Sequence, residues 1–178
     1  SGVNCLSCHA LPDGRIAAVR TVPNAPCRPI ATPALSTSQA CGGCHTAIYR
    51  DWSGSRYDQE GKTCQACHMP ATTDDPAHRS HLCIGGHAPD YIRSGVTRQT
   101  DQINGQIRVT VTNHATGHNF PGERHNRVLL VQMTQRNAAG EITLTREETI
   151  KNITPFRGES SAEQIQIDQS FVAEFPLV

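Results

Sequence analysis

The chain has 178 residues, enough for one domain of ordinary size or two small ones. Lys and Arg together equal Asp and Glu at 16 each, and the basic residues are scattered rather than clustered, which argues against a nucleic-acid-binding surface. Aromatic residues make up 4% of the chain and mean hydropathy is −0.44, so side chains alone would build a thin core, and no apolar stretch approaches membrane-spanning length.

The chain opens on Cys5-Leu6-Ser7-Cys8-His9. The same C-x-x-C-H pattern returns at Cys41-Gly42-Gly43-Cys44-His45 and at Cys64-Gln65-Ala66-Cys67-His68. A lone C-x-x-C suits a zinc knuckle, an iron–sulfur ligand pair or a redox dithiol. The following His points instead to c-type haem. Two thiols add across the porphyrin vinyl groups, and the adjacent imidazole takes the iron as proximal ligand. With 8 Cys and 9 His in the chain, about 0.02 matches arise by chance. A zinc site would need two Cys pairs together and would leave the third pair and all three His unexplained. The expectation is three covalently bound haem c groups, attached at Cys5 and Cys8, Cys41 and Cys44, and Cys64 and Cys67, with proximal ligands His9, His45 and His68. Each ferric haem adds about −1 through its propionates, so the loaded protein is mildly acidic.

Residues 1–36 hold the first site and then Pro12, Pro23, Pro26, Pro29 and Pro33, a density that denies regular helix and predicts an extended covering loop. Residues 36–57 read as a helix started by the second site, with Trp52 and Tyr57 against a porphyrin. Residues 58–95 carry the third site, a polar turn at 72–76, a His-rich segment with His78, His81 and His87, and a short helix from Pro89 to Arg93. From about residue 103 cysteine disappears and alternation begins. Ile107, Val109 and Val111 share one face of a strand, followed by strands over 126–135, 141–150, 164–167 and 171–175. The fold class is α+β: a haem-cored region rich in loops and short helices over residues 1–100, then a small antiparallel β-sandwich module over 101–178. The last strand ends at the final residue, which reads as a module incomplete at its C-terminus.

Cys27 and Cys83 belong to no haem site. Two spare thiols in an oxidising compartment predict a disulfide, contributing about 4 kcal/mol in the chain-entropy picture. The alternative is two buried free cysteines. Covalent haem attachment takes place outside the cytoplasm, so the chain reads as periplasmic or extracellular, with its signal peptide removed and its N-terminus trimmed further.

The distal iron positions need further ligands. Met69 follows a proximal His and cannot reach around its own ring, and Met133 lies mid-strand, so bis-His ligation is expected. Six His remain, all after the last haem site. His81, His87 and His118 are the chosen distal ligands, with His78, His114 and His125 as alternates. His118 lies in a Gly-flanked loop between strands, Thr116 to Gly122, where backbone can approach a flat ring.

These features resemble multihaem c-type cytochromes of the cytochrome c-554-like kind. The resemblance rests on C-x-x-C-H-Met-Pro at Cys64 to Pro70, on Ser80-His81 followed by Gly85-Gly86, and on Asn-x-x-x-Gly-His-x-x-Pro over Asn113 to Pro121. It implies His81 and His118 as ligands and electron transfer through closely stacked bis-His haems. Trp52 and Ser55 match a Trp-x-x-Ser-x-His stretch in which the His is a distal ligand, but Tyr57 stands at that His position. Either another His serves that haem or its distal side is open. Cys27 and Cys83 also depart from the pattern, as a pair, in keeping with a bridge.

The function expected is electron transfer outside the cytoplasm, between redox protein partners or neighbouring cytochrome subunits, by a carrier rather than an enzyme. Two alternatives stand beside it. One is a subunit of a homo-oligomeric cytochrome filament. The other is a haem reductase of small nitrogen or sulfur oxyanions, which requires one open distal site.

Overall fold

In a computed structural model of the chain, residues 3–122, 127–152 and 164–177 are described. They fall into two compact units, Ser1–Ile84 and Gly85–Val178.

The first unit is built from short pieces: α1 (Cys5–His9), β1 (Ala17–Ala18), β2 (Ile30–Ala31), a 3₁₀ turn at Pro33–Ser36, α2 (Gln39–Gly42), α3 (Thr46–Trp52), α4 (Arg56–Gln59) and α5 (Cys64–His68). β1 and β2 pair in parallel across the Pro-rich stretch. Three of the short helices are started by side chains, α4 by Ser55, whose Oγ accepts from the Asp58 amide at 3.4 Å. The Asn4 carboxamide accepts from the Leu6 and Ser7 amides, and Ser7 Oγ accepts in return from the Asn4 amide. Thr63 Oγ1 accepts from the Ala66 amide at 3.2 Å. Such caps satisfy amide donors that a five-residue helix leaves without partners. The single helix expected over 36–57 is instead three. It breaks at Gly43 and Cys44, where His45 leaves helical geometry at φ −103° and ψ 55°, and again at Ser53 and Gly54, where Gly54 takes φ +81°. Among the described residues of this unit the buried apolar side chains are Ala17, Pro29 and Tyr57, far too few to hold 84 residues together by side-chain burial.

The second unit begins with α6 (Pro89–Gly95), close to the helix expected there. It continues through β3 (Val96–Ile103), β4 (Gln106–Asn113), β5 (Arg127–Arg136), β6 (Ile142–Asn152) and β7 (Ser170–Pro176). The strands form two antiparallel sheets, β3-β4-β7 and β5-β6. The expected alternation of Ile107, Val109 and Val111 is realised in β4, and the strands expected over 126–135, 141–150 and 171–175 appear as β5, β6 and β7. The strand expected over 164–167 reduces to one bridge, Phe120 with Ile165.

β3 is an addition. Its sequence, Val-Thr-Arg-Gln-Thr-Asp-Gln-Ile, shows little apolar alternation, and it forms because Asn104-Gly105 folds it back onto β4. Both turn residues have positive φ, 50° and 75°, as the two-residue hairpin turn requires. Val109 and Val111 from β4, Val131 from β5, Ile150 from β6, Ile165, and Ala173 and Phe175 from β7 make one apolar cluster fed by both sheets. On the outer face of β4, Arg108 pairs with Glu174 directly across the ladder at 2.7 Å.

Candidate haem-attachment sites

The Cys-x-x-Cys-His runs of the first and third sites coincide with α1 and α5. A helical turn brings residues i, i+3 and i+4 to one face, so both thiols and the imidazole are presented together. Cys5 and Cys8 are exposed, and Cys64 and Cys67 are half-buried. In both sites the imidazole is already fixed from behind. His9 Nδ1 lies 2.8 Å from the Ala17 carbonyl in β1, and His68 Nδ1 lies 2.5 Å from the Ile84 carbonyl. A carbonyl can only accept, so Nδ1 carries the proton and Nε2 carries the lone pair, the tautomer an iron ligand needs.

The second site is built differently. Cys41 ends in α2, Cys44 lies in the turn, and His45 precedes α3. The glycines between its thiols are not equivalent. A Cβ on Gly42 would meet the Tyr49 ring at 2.8 Å, whereas nothing lies within 4 Å of one on Gly43. Tyr49 therefore packs directly on the backbone of the attachment loop. It also stacks, tilted, on Trp52 at 5.7 Å.

The second and third sites are tied together. The Gln65 carboxamide nitrogen, from inside the third motif, donates to the Leu35 and Thr37 carbonyls at 3.0 and 2.7 Å. The Cys64 amide donates to Ser38 Oγ at 3.0 Å, and Ser38 and Gln65 are both buried. As a result the Cys41 and Cys64 thiols, one from each site, hydrogen-bond each other. That bond favours the Cys64 thiolate, lowering its pKa to about 6, and it holds the proton on Cys41, helped by burial and by nearby Cys8 and Cys83. Burial raises the Cys67 pKa.

Cys27 and Cys83, expected as a disulfide or as buried thiols, are both free and exposed. Cys83 adopts φ +47° in the segment that Ile84 ties to His68, and its thiol acts electrostatically on Cys41.

Among the distal candidates, His81 lies in the first unit with its ring centre 6.1 Å from that of His9, and His78 lies 6.1 Å from His81. His87 is exposed in the second unit, ahead of α6. His118 is half-buried there, with Nδ1 2.9 Å from the Asn119 carbonyl. His125 lies outside the described residues. Tyr57, at the position where a ligand is expected in the resembling family, is buried. Its hydroxyl accepts from Arg56 at 2.9 Å, and Arg56 and Lys62 stand 4.7 and 5.4 Å from the ring centre.

One residue important to the His118 loop went unassigned in the sequence, although it opens the quoted motif. Asn113 is fully buried. Its carboxamide nitrogen donates to the His118 carbonyl at 3.0 Å and to the Ile165 carbonyl at 3.1 Å, and its oxygen accepts from Thr116 Oγ1. Thr116 Oγ1 also reaches the His118 carbonyl at 2.7 Å. The signal was available: an Asn at a strand end five residues before a His, followed by Thr, is the composition of a side-chain-locked loop.

No protein-family model matches the chain, and no curated protein matches it. A solved structure does: a penta-haem cytochrome c552 from Thermochromatium tepidum, with a TM-score of 0.65 at 18% identity over 99% of this chain. The chain spans 65% of that protein's length. At that identity the likeness is one of fold, shared with that multihaem c-type cytochrome.

Proposed function

We propose that the chain holds three covalent haem c groups and passes electrons through them, outside the cytoplasm, between redox proteins. The observation that carries this reading is the first unit itself. It has almost no apolar core, yet two of its three Cys-x-x-Cys-His runs are short helices whose imidazoles, His9 and His68, are set in the ligand tautomer. A unit of this kind fits a flat apolar group that supplies the missing core, as metals do in small metal-dependent domains. Bound haem supplies one-electron iron chemistry.

The chain's own residues do the rest. The thiols anchor, His9, His45 and His68 ligate from one side, and the Ala17 and Ile84 carbonyls orient two of those imidazoles and raise their basicity. Because Cys41 and Cys64 interact, two of the groups are attached at neighbouring positions, a suitable arrangement for electron exchange between them. His81, His87 and His118 complete the iron coordination, giving low-potential, low-spin centres. The C-terminal sheets, read as a sandwich, carry His118.

Mass analysis and a ferric electron paramagnetic resonance spectrum test the proposal. Three covalent haems, all low-spin, are expected. Fewer than three would overturn the assignment of sites.

A haem reductase of small oxyanions is the second reading, and Tyr57 favours it. A buried tyrosine whose hydroxyl accepts from Arg56 stands where a distal His is expected, which is compatible with one open iron. A high-spin ferric signal in the native protein supports this reading and its absence removes it. A filament of like subunits shares the electron-transfer chemistry, and electron microscopy of native material separates extended polymers from single particles.

A further inference from the structure

The loop leaving the third site runs from Met69 to Ile84 and folds back on itself. Thr72 N donates to the His78 carbonyl at 3.0 Å, Ser80 N to Pro70 at 2.9 Å, and Ile84 N to His68 at 3.1 Å. His81 is therefore held between two anchored points. His9 is held independently, by its Nδ1 bond to Ala17. The two ring centres are 6.1 Å apart, with the planes inclined at 41°.

Two imidazoles on opposite faces of one iron have a fixed separation. Each contributes a metal–nitrogen bond of about 2.0 Å and a distance from nitrogen to ring centre of about 1.15 Å, set by ring bonds of about 1.33 Å. The sum across the iron is about 6.3 Å when both nitrogens face the metal. The inclination of the planes is not fixed by ligation, since each ring can rotate about its own bond.

We propose that His81 is the distal ligand of the iron whose proximal ligand is His9, so that the loop leaving the third site closes the first. This rests on the haem reading above and adds which iron His81 serves. His78 is equally near His81, but neither follows a pair of attachment cysteines, so no anchored porphyrin lies between those two. The assignment has a structural consequence. The loop that supplies a ligand to the first iron is tied by Ile84 to the proximal imidazole of the third, so the first and third sites share one strap.

The test uses the haem-loaded protein. His81→Ala is made alone and with His78→Ala, the neighbour able to substitute for it. The same changes are then made in a background lacking the first site, Cys5→Ala with Cys8→Ala. In the three-haem background the double variant is expected to convert one of three low-spin ferric signals to high-spin, and added imidazole restores it. In the two-haem background the same change leaves both signals low-spin.

A high-spin conversion in the two-haem background assigns His81 to another iron and overturns the proposal. So do three unchanged low-spin signals in the double variant. Mass analysis of each variant keeps this separate from the haem reading, which fails only if the groups are not attached. Where the alanine variants do not fold, His81→Met serves. It should raise one reduction potential in the three-haem protein and none in the two-haem background, and a rise in the latter overturns the assignment.

Discussion

Asn113 offers the most demanding test of how the His118 loop is held. Replacing it by Ala removes two donated hydrogen bonds and one accepted bond at a position with no solvent access. At about 0.5–1.5 kcal/mol net for each bond the loss is about 1.5–4.5 kcal/mol. The partners moderate it. The Ile165 carbonyl still accepts from the Phe120 amide at 2.9 Å, and the His118 carbonyl still accepts from Thr116. Neither carbonyl is left bare, which puts Asn113→Ala toward the lower half, about 2 kcal/mol. Asn113→Asp separates this account from simple packing. Its volume is nearly unchanged, but the donor facing two carbonyls becomes an acceptor, so it should destabilise more than Ala. The assay is denaturant unfolding of the haem-loaded protein followed by the far-ultraviolet signal of the β unit. With His118 as the proposed iron ligand, the ferric spin state then reports whether it stays in place. An Asp variant as stable as the native protein, or an Ala variant within about 0.5 kcal/mol of it, would refute the hydrogen-bond argument.

Four further outcomes are expected. Gly42→Ala forces a Cβ against the Tyr49 ring and should lower stability and haem loading at the second site. Gly43→Ala, with open space and φ −63°, should be neutral or stabilising by up to about 1 kcal/mol, and absorbance per protein with thermal melts checks both. Phe175→Ala empties the centre of the C-terminal core and should cost about 3–5 kcal/mol in denaturant unfolding of the β unit. Arg108→Ala, which removes a half-exposed cross-strand ion pair, should cost under about 1 kcal/mol and less still in high salt, and the salt series is the check.

Much of the chain was legible from residue types alone where the deciding interactions are local. Two of the three Cys-x-x-Cys-His runs, at Cys5–His9 and Cys64–His68, fold as single short helices, with Asn4 and Thr63 supplying caps within reach of their own helices. The alternation of Ile107, Val109 and Val111 likewise marks a half-buried strand whatever it pairs with. β3 was missed because its own pattern is polar, although Asn104-Gly105 carried the hairpin signal. The single helix expected over 36–57 divides because Gly54 follows a helix end at positive φ and the Gly42-Gly43 pair opens the second site, with Gly42 making room for the Tyr49 ring.

Tertiary structure alone decided what depends on residues far apart in the chain. That Cys41 meets Cys64 follows from Ser38 and Gln65 bonding across more than twenty residues. That His81 stands one ligand span from His9 follows from a folded-back loop. The pairing of Cys27 with Cys83, reasonable from cysteine arithmetic, depends on distance, and both thiols are free in the fold. Sequence spacing thus marks the residues proposed to anchor and ligate haem, because each set lies within five consecutive positions. Which imidazole faces which iron is a matter of long-range closure, and only the folded chain brings those atoms together.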